Sequence, residues 1–234
     1  MSKQDTSEFL AIGHRGCMAL EPENTMRGFR RALELGCEMI ETDLHLVDGE
    51  LILLHDVRLE RTTNGEGDLA DISLEELRKL DAGKGEKVPL LTELMDLCAG
   101  KDVVLNLEIK GGGVVEPMLE MLERYPKQEV VVSSFDWAQL RDCHERKPEL
   151  PLAVLVEDLD LVSDSLVVFK ELGAVSWNPD LQLLNDASVK VIHDLGGKVY
   201  PFTVKTEVDL ELVLAAGCDG AFVNDPIAVS EWLR

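Results

Sequence analysis

Eight short apolar runs rich in β-branched residues recur along the chain, with helix-like stretches between them, and this alternation is what most restricts the fold. The runs are 8–13 (EFLAIG), 39–46 (MIETDLHL), 102–109 (DVVLNLEI), 129–134 (EVVVSS), 151–156 (PLAVLV), 174–177 (AVSW), 198–204 (KVYPFTV) and 219–224 (DGAFVN). Helical spacing is visible at 25–36, 114–125, 137–147, 161–173, 187–196, 207–217 and 227–233, with Gly, Pro, Asp or Asn in the turns between. Strands that alternate with helices pair in parallel, because each helix carries the chain back to the same end of the sheet. Eight such units in 234 residues match a (β/α)8 barrel, typically about 250 residues long. A doubly wound open sheet is the alternative, but no run here resembles its glycine-rich dinucleotide turn. We expect an α/β fold, a (β/α)8 TIM barrel with a small insertion after the second strand. It should form one domain over residues 1–234, with the insertion at 56–92.

Charge narrows the partners. The chain carries 45 acidic against 23 basic residues, a net charge of −22, which repels nucleic acid and anionic membranes. That acidity serves solubility first, and the expected ligand is small; an anionic one would need local cations. The five cysteines, Cys17, Cys37, Cys98, Cys143 and Cys218, are scattered and never form a CxxC pair, which argues against a disulfide framework or zinc site and for a reducing, cytoplasmic setting. The start, MSKQDTSEFL, is polar, and no run approaches the roughly 18 apolar residues of a membrane span, so no integral membrane association is expected.

Within the second strand, Glu41 and Asp43 stand two residues apart in an otherwise buried segment. Residues at this spacing share one face, roughly 7 Å apart along the strand, and burial makes two like charges costly. A divalent cation is the natural compensation, and it is also a tool for phosphate chemistry. Asp48-Gly49 follows between two strand-like runs, a hairpin signal. With a two-residue turn, Val47 faces Glu50, and counting back sets His55 opposite Thr42, between the two carboxylates. The excursion at 56–92 contains the turn-rich RTTNGEG and a capping box at Ser73–Glu76; its expected use is a lip over a pocket.

Alternation in the third parallel strand separates Val103, Leu105, Leu107 and Ile109 from Asn106, Glu108 and Lys110. The apolar set packs under helices, and the polar set points into the barrel near the strand's C-terminal end, where sites of this fold are built. An ion pair between Glu108 and Lys110 is the plainer role; beside Glu41 and Asp43 it becomes part of a site. The first strand ends in Gly13-His14-Arg15-Gly16, small residues around a titratable and a cationic group. Arg15 has an ion pair with Glu23 as its plainer role. Two histidines at one mouth, His14 and His55, suit phosphodiester cleavage, in which one group takes the nucleophile's proton and another protonates the leaving alkoxide.

His14-Arg15-Gly16, Glu23-Asn24-Thr25, Glu41-Thr42-Asp43, His55-Asp56 with Arg61-Thr62-Thr63-Asn64-Gly65, and Leu107-Glu108-Ile109-Lys110 occur in this order. Over nearly its whole length the chain thereby resembles the glycerophosphodiester phosphodiesterase family, whose fold is a metal-assisted (β/α)8 barrel. The resemblance implies that Glu41, Asp43 and Glu108 bind one divalent ion, magnesium or calcium, with manganese a further candidate. It implies acid and base roles for His14 and His55, phosphate contacts for Arg15 and Lys110, and products sn-glycerol 3-phosphate and an alcohol such as choline or ethanolamine. It leaves open which histidine is acid, and whether water or a glycerol hydroxyl attacks.

Late in the chain the family's usual Trp-Thr-Val-Asn string is replaced by Phe202-Thr203-Val204-Lys205. The catalytic set is unaffected; the pocket wall and the alcohol accepted are what such a change alters. Phe202 is read first as core packing, and Asp219-Gly220 and Asp225-Pro226 as loop structure. The alternatives are a lysophospholipase D-type phosphodiesterase, an inactive phosphate-ligand binding barrel, and a metal-free isomerase, in which three inward carboxylates would lack compensation.

Overall fold

In the computed structural model, which describes residues 9–234, parallel strands run in the order β8-β7-β6-β5-β4-β2-β1-β9. They are β1 (Leu10–Gly13), β2 (Met39–Val47), β4 (Val104–Ile109), β5 (Val130–Ser134), β6 (Leu152–Val156), β7 (Ser176–Pro179), β8 (Lys198–Val199) and β9 (Gly220–Val223). The short β3 (Glu50–Leu53) pairs antiparallel with the end of β2. Beyond Val199 the chain continues as single bridges, and the ring closes where Val204 N–H donates to the Phe222 carbonyl at 2.9 Å. The expected (β/α)8 barrel is thus the observed architecture. Glu8, at the head of the first expected strand, lies outside the described residues. The run expected at 174–177 pairs over Ser176–Pro179 instead, because Ala174 N–H is still bonded to the Phe169 carbonyl of the preceding helix and the ladder's first bond comes from Val175 N–H to the Leu152 carbonyl.

Helices α1 (Met26–Glu34), α3 (Leu91–Cys98), α4 (Val115–Arg124), α5 (Trp137–Arg146), α6 (Val162–Leu172), α7 (Asp186–Asp194), α8 (Glu207–Ala215) and α9 (Pro226–Trp232) follow the barrel strands, with the one-turn α2 (Leu74–Leu77) in the insertion. The helix α3 goes unread in the alternation above, although Leu91, Leu94, Met95 and Cys98, all buried, stand at i, i+3, i+4 and i+7. No helix of the described residues is long and apolar enough to cross a membrane.

Strand parity sorts the core. Ile40, Leu44, Leu105, Leu107 and Val132 face outward and pack against helix residues such as Phe29, Met95, Met118 and Leu140. Inside the barrel Ile12, Met39 and Phe222 form a small cluster with Val104, Val131, Tyr200 and Phe202 packed on it. Glu41, Asp43 and Glu108 continue the same inward faces toward the C-terminal ends of their strands, so the polar layer sits on an apolar floor.

The insertion has its own core of Val47, Ile52, Leu54, Leu59, Leu69, Leu77, Ala82 and Val88. The expected hairpin precedes it: Asp48 and Gly49 both have positive φ, 50° and 82°, and Val47 pairs with Glu50. The expected capping box forms as well, Ser73 and Glu76 bonding each other's backbone N–H.

Candidate active site

Pairing between β2 and β4 assembles the carboxylates. Asp43 lies beside Glu108 in the parallel ladder and Glu41 beside Asn106, so two strands place three acids on one patch of inner wall. One oxygen from each of Glu41, Asp43 and Glu108 lies within 4.8 Å of the others, and the residues are only 1%, 0% and 8% exposed. Burial, then repulsion from Asp43 and Glu108, holds the Glu41 carboxyl well above its usual range. Glu108 is pushed up to about 7 by burial and by Asp43, with Lys110 opposing.

Neighbours tie down one oxygen of each β2 acid. Arg15 N–H donates to Glu41 Oε2 at 2.8 Å, and Asn24 Nδ2 donates to Asp43 Oδ2 at 2.8 Å, while Thr42 Oγ1 donates to Asn24 Oδ1 at 2.8 Å. Their other oxygens, Glu41 Oε1 and Asp43 Oδ1, are buried without a hydrogen bond. Three clustered carboxylates, two of them with an orphaned oxygen, form a donor set that fits a hard divalent cation; the site is compatible with one.

The cations come from strand ends. Lys110 Nζ donates to Glu108 Oε1 at 2.8 Å and lies 3.8 Å from Asp43 Oδ1. Arg15 combines the plainer pairing with a role in the cluster: its Nη1 is 2.8 Å from Glu23 Oε1 and its Nε 3.3 Å from Asp43 Oδ2.

Each histidine has its Nδ1 held by a neighbouring side chain. His14 Nδ1–H donates to Asn224 Oδ1 at 2.8 Å, leaving Nε2, 3.9 Å from Glu41 Oε2, as the acceptor nitrogen. Burial, helped by Arg15, lowers the His14 pKa to about 4, so the ring is neutral at neutral pH. His55 Nδ1–H donates to Asp56 Oδ1 at 2.5 Å, and its Nε2 accepts from Lys110 Nζ at 3.1 Å.

His55 is not opposite Thr42 as expected. The antiparallel ladder stops at Leu44–Leu53, with one further bond from Leu54 N–H to the Asp43 carbonyl. The chain then turns away, His45 Nε2 bonding the His55 carbonyl at 3.2 Å, and His55 meets the carboxylates through Lys110.

His14, Arg15, Glu41, His55, Glu108 and Lys110 line one cavity of about 450 Å³. The rest of its lining is mostly apolar, with Phe135, Leu155, Phe202 and Phe222, and includes the exposed acids Asp136 and Glu157. Two expectations change here. Phe202 is a wall residue as well as a packing one, standing edge-on to Phe135 and Phe222 at ring-centroid distances of 5.6 and 6.5 Å. The insertion adds no wall: none of residues 56–92 lines the cavity.

Lys205, by contrast, is exposed outside the cavity, its backbone N–H bonded to Asp209. Asn224 and Asp56, which hold the two imidazoles, are missed by the sequence reading as site residues. The signal for Asn224 is the closure of the barrel: β1 pairs with β9 with Gly13 beside Val223, and the next residues along are His14 and Asn224.

Comparison with known proteins points to one family. The model of the glycerophosphoryl diester phosphodiesterase family matches residues 14–228. A glycerophosphodiester phosphodiesterase of Caldanaerobacter subterraneus is 37% identical over 96% of this chain and 98% of the relative; one of Bacillus subtilis is 32% identical over 93% and 84%. Among solved structures, an Oleispira antarctica phosphodiesterase in complex with the product sn-glycerol-3-phosphate superimposes with a TM-score of 0.88. It is 27% identical and covers 96% of each chain. This chain therefore belongs to the glycerophosphoryl diester phosphodiesterase family.

Proposed function

We propose that the protein hydrolyses glycerophosphodiesters, small soluble molecules, to sn-glycerol 3-phosphate and an alcohol, with a divalent ion as cofactor. The observation that carries this reading is the single cavity where Glu41 and Glu108 meet two imidazoles, a guanidinium and an ammonium. Relatives named as glycerophosphodiester phosphodiesterases, and a related structure with the product bound, support it.

Glu41, Asp43 and Glu108 would hold the ion, magnesium, calcium or manganese. Bound there, it would neutralise nonbridging phosphate oxygens as a Lewis acid. Arg15 and Lys110 contact the same phosphate and stabilise the charge that builds up during in-line displacement. His14, kept neutral by burial, takes the proton of the attacking hydroxyl on Nε2; the Asn224 bond fixes the tautomer that makes this atom the acceptor. His55, oriented by Asp56, gives a proton from Nε2 to the departing alkoxide when its ring is doubly protonated, and regains one from solvent before the next turnover. The attacking group is water or the substrate's own glycerol hydroxyl, the latter passing through a cyclic phosphate.

The test is release of glycerol 3-phosphate from a panel of glycerophosphodiesters and lysophospholipids, each with magnesium, calcium, manganese or EDTA. Turnover of the glycerophosphodiesters that EDTA abolishes is the expected result. Activity surviving exhaustive EDTA treatment contradicts the metal role, turnover confined to lysophospholipids replaces the substrate, and binding without turnover makes the chain a binding barrel.

A further inference from the structure

Arg61 belongs to the insertion and does not line the cavity, yet it is bonded to the partners of two residues that do. Its Nε and Nη2 donate to Asp56, the latter at 2.9 Å, and its Nη1 and Nη2 donate to the two Glu23 oxygens at 2.7 and 2.8 Å. Asp56 is the acceptor for His55 Nδ1–H, and Glu23 is the acceptor for Arg15 Nη1. One unbroken series of bonds therefore runs from His55 through Asp56, Arg61 and Glu23 to Arg15, crossing from the insertion to the end of the first barrel strand.

We propose that Arg61 is a positioning residue, a clamp that sets the His55 ring and the Arg15 guanidinium at a fixed separation. The proposal rests on the roles given above to His55 and Arg15. Three features favour orientation over bulk stability. Arg61 is 46% exposed at its side chain, and an ion pair that open to water contributes little to folding by attraction alone. Its planar fork of donors serves two carboxylates at once, a geometry that the point charge of lysine does not reproduce.

The third feature is the rigidity of its support. Thr63 N–H and Oγ1 both bond the Leu59 carbonyl, at 3.0 and 2.7 Å, and Leu59 is buried in the insertion's own core. The insertion thus acts as an anchored platform for one guanidinium. Without Arg61, Asp56 and Glu23 lose the guanidinium that joins them, and the acceptor that orients His55 is free to rotate.

The test compares wild type, Arg61→Ala and Arg61→Lys in three measurements: melting temperature, kcat and KM on glycerophosphodiesters, and the imidazole ¹⁵N spectrum of His55. The clamp predicts that both variants melt close to wild type, that kcat falls roughly 10-fold or more, and that KM rises, since both the proton donor and the phosphate contact are displaced. It also predicts that His55 changes from one Nδ1–H tautomer to a mixture in Arg61→Ala. A lower melting temperature with kcat unchanged per folded molecule, or an unaltered His55 tautomer, overturns it. A wild type inactive on every diester refutes the proposed function instead, and the His55 spectrum still decides the clamp.

Discussion

Replacing Glu108 with glutamine isolates what a buried carboxylate costs the metal-free protein. Glu108 lies beside Asp43, and its pKa is pushed from 4.5 up to about 7, first by burial and then by Asp43. Between those values the folded chain holds a proton that the unfolded chain has released, so this group's stabilisation falls as pH rises. At about 1.4 kcal/mol per pH unit, the loss across the window is about 3 kcal/mol. Glu41, raised by burial and the same acidic cluster, adds in the same direction.

His14 acts oppositely. Burial and Arg15 lower its pKa from 6.5 to about 4, so the unfolded chain binds the extra proton and stability rises with pH over that interval. The two slopes offset in the wild type, and only the difference between wild type and Glu108→Gln exposes the carboxylate. Urea denaturation of both EDTA-treated proteins, read as a midpoint at equal m-value, should show the variant gaining about 3 kcal/mol on the wild type as pH rises through the window from 4.5 to about 7. Magnesium or calcium, added above that window, should then stabilise the wild type far more than the variant. A difference that stays flat with pH refutes the argument that three packed acids await a cation.

His14→Ala and His55→Ala should each lower kcat by roughly 100-fold or more with the melting temperature retained, as loss of a general acid or base does; near-normal turnover in either defeats its assignment. Asn224→Ala removes the acceptor for His14 Nδ1–H and should lower kcat with KM little changed, while Asn224→Asp, which keeps that acceptor, should restore part of the rate. Trp177 is fully buried and its Nε1 donates to Ser165 Oγ at 2.9 Å. Trp177→Phe should therefore cost about 1–3 kcal/mol in urea unfolding by leaving a buried hydroxyl without its donor, and no measurable loss would contradict that.

Parity alone made much of the site legible. Glu41 and Asp43 share a face because they are two apart, Glu108 faces inward because Leu107 and Ile109 face outward, and parallel pairing then puts Asp43 beside Glu108. Asp48-Gly49 gave the hairpin and its register, since this pair takes the two positive φ values of a type I′ turn, which joins the arms in two residues. Register counting failed beyond Leu53, because nothing in the sequence marks where a ladder stops, and His55 lies past that point. Asn224 depends on which strands close a ring, a property of the whole chain that local spacing does not carry. Phe202 is apolar in an apolar strand whether it lines a cavity or a core. Arg61 falls within a motif that carried the family resemblance, but its two acceptors, Asp56 and Glu23, meet only in three dimensions.

The two walls of the cavity come from different parts of the chain. Every residue assigned to the ion, the phosphate or proton transfer lies between His14 and Lys110, whereas Phe135, Leu155, Glu157, Phe202 and Phe222 all follow. The reacting side chains and the apolar wall are thereby encoded in separate stretches of the gene, Asn224 behind His14 being the exception. Residues 135–203 are free to drift toward a new leaving alcohol while His14–Lys110 and Asn224 stay as they are, and a library confined to those codons would explore substrate range with the reaction chemistry left intact.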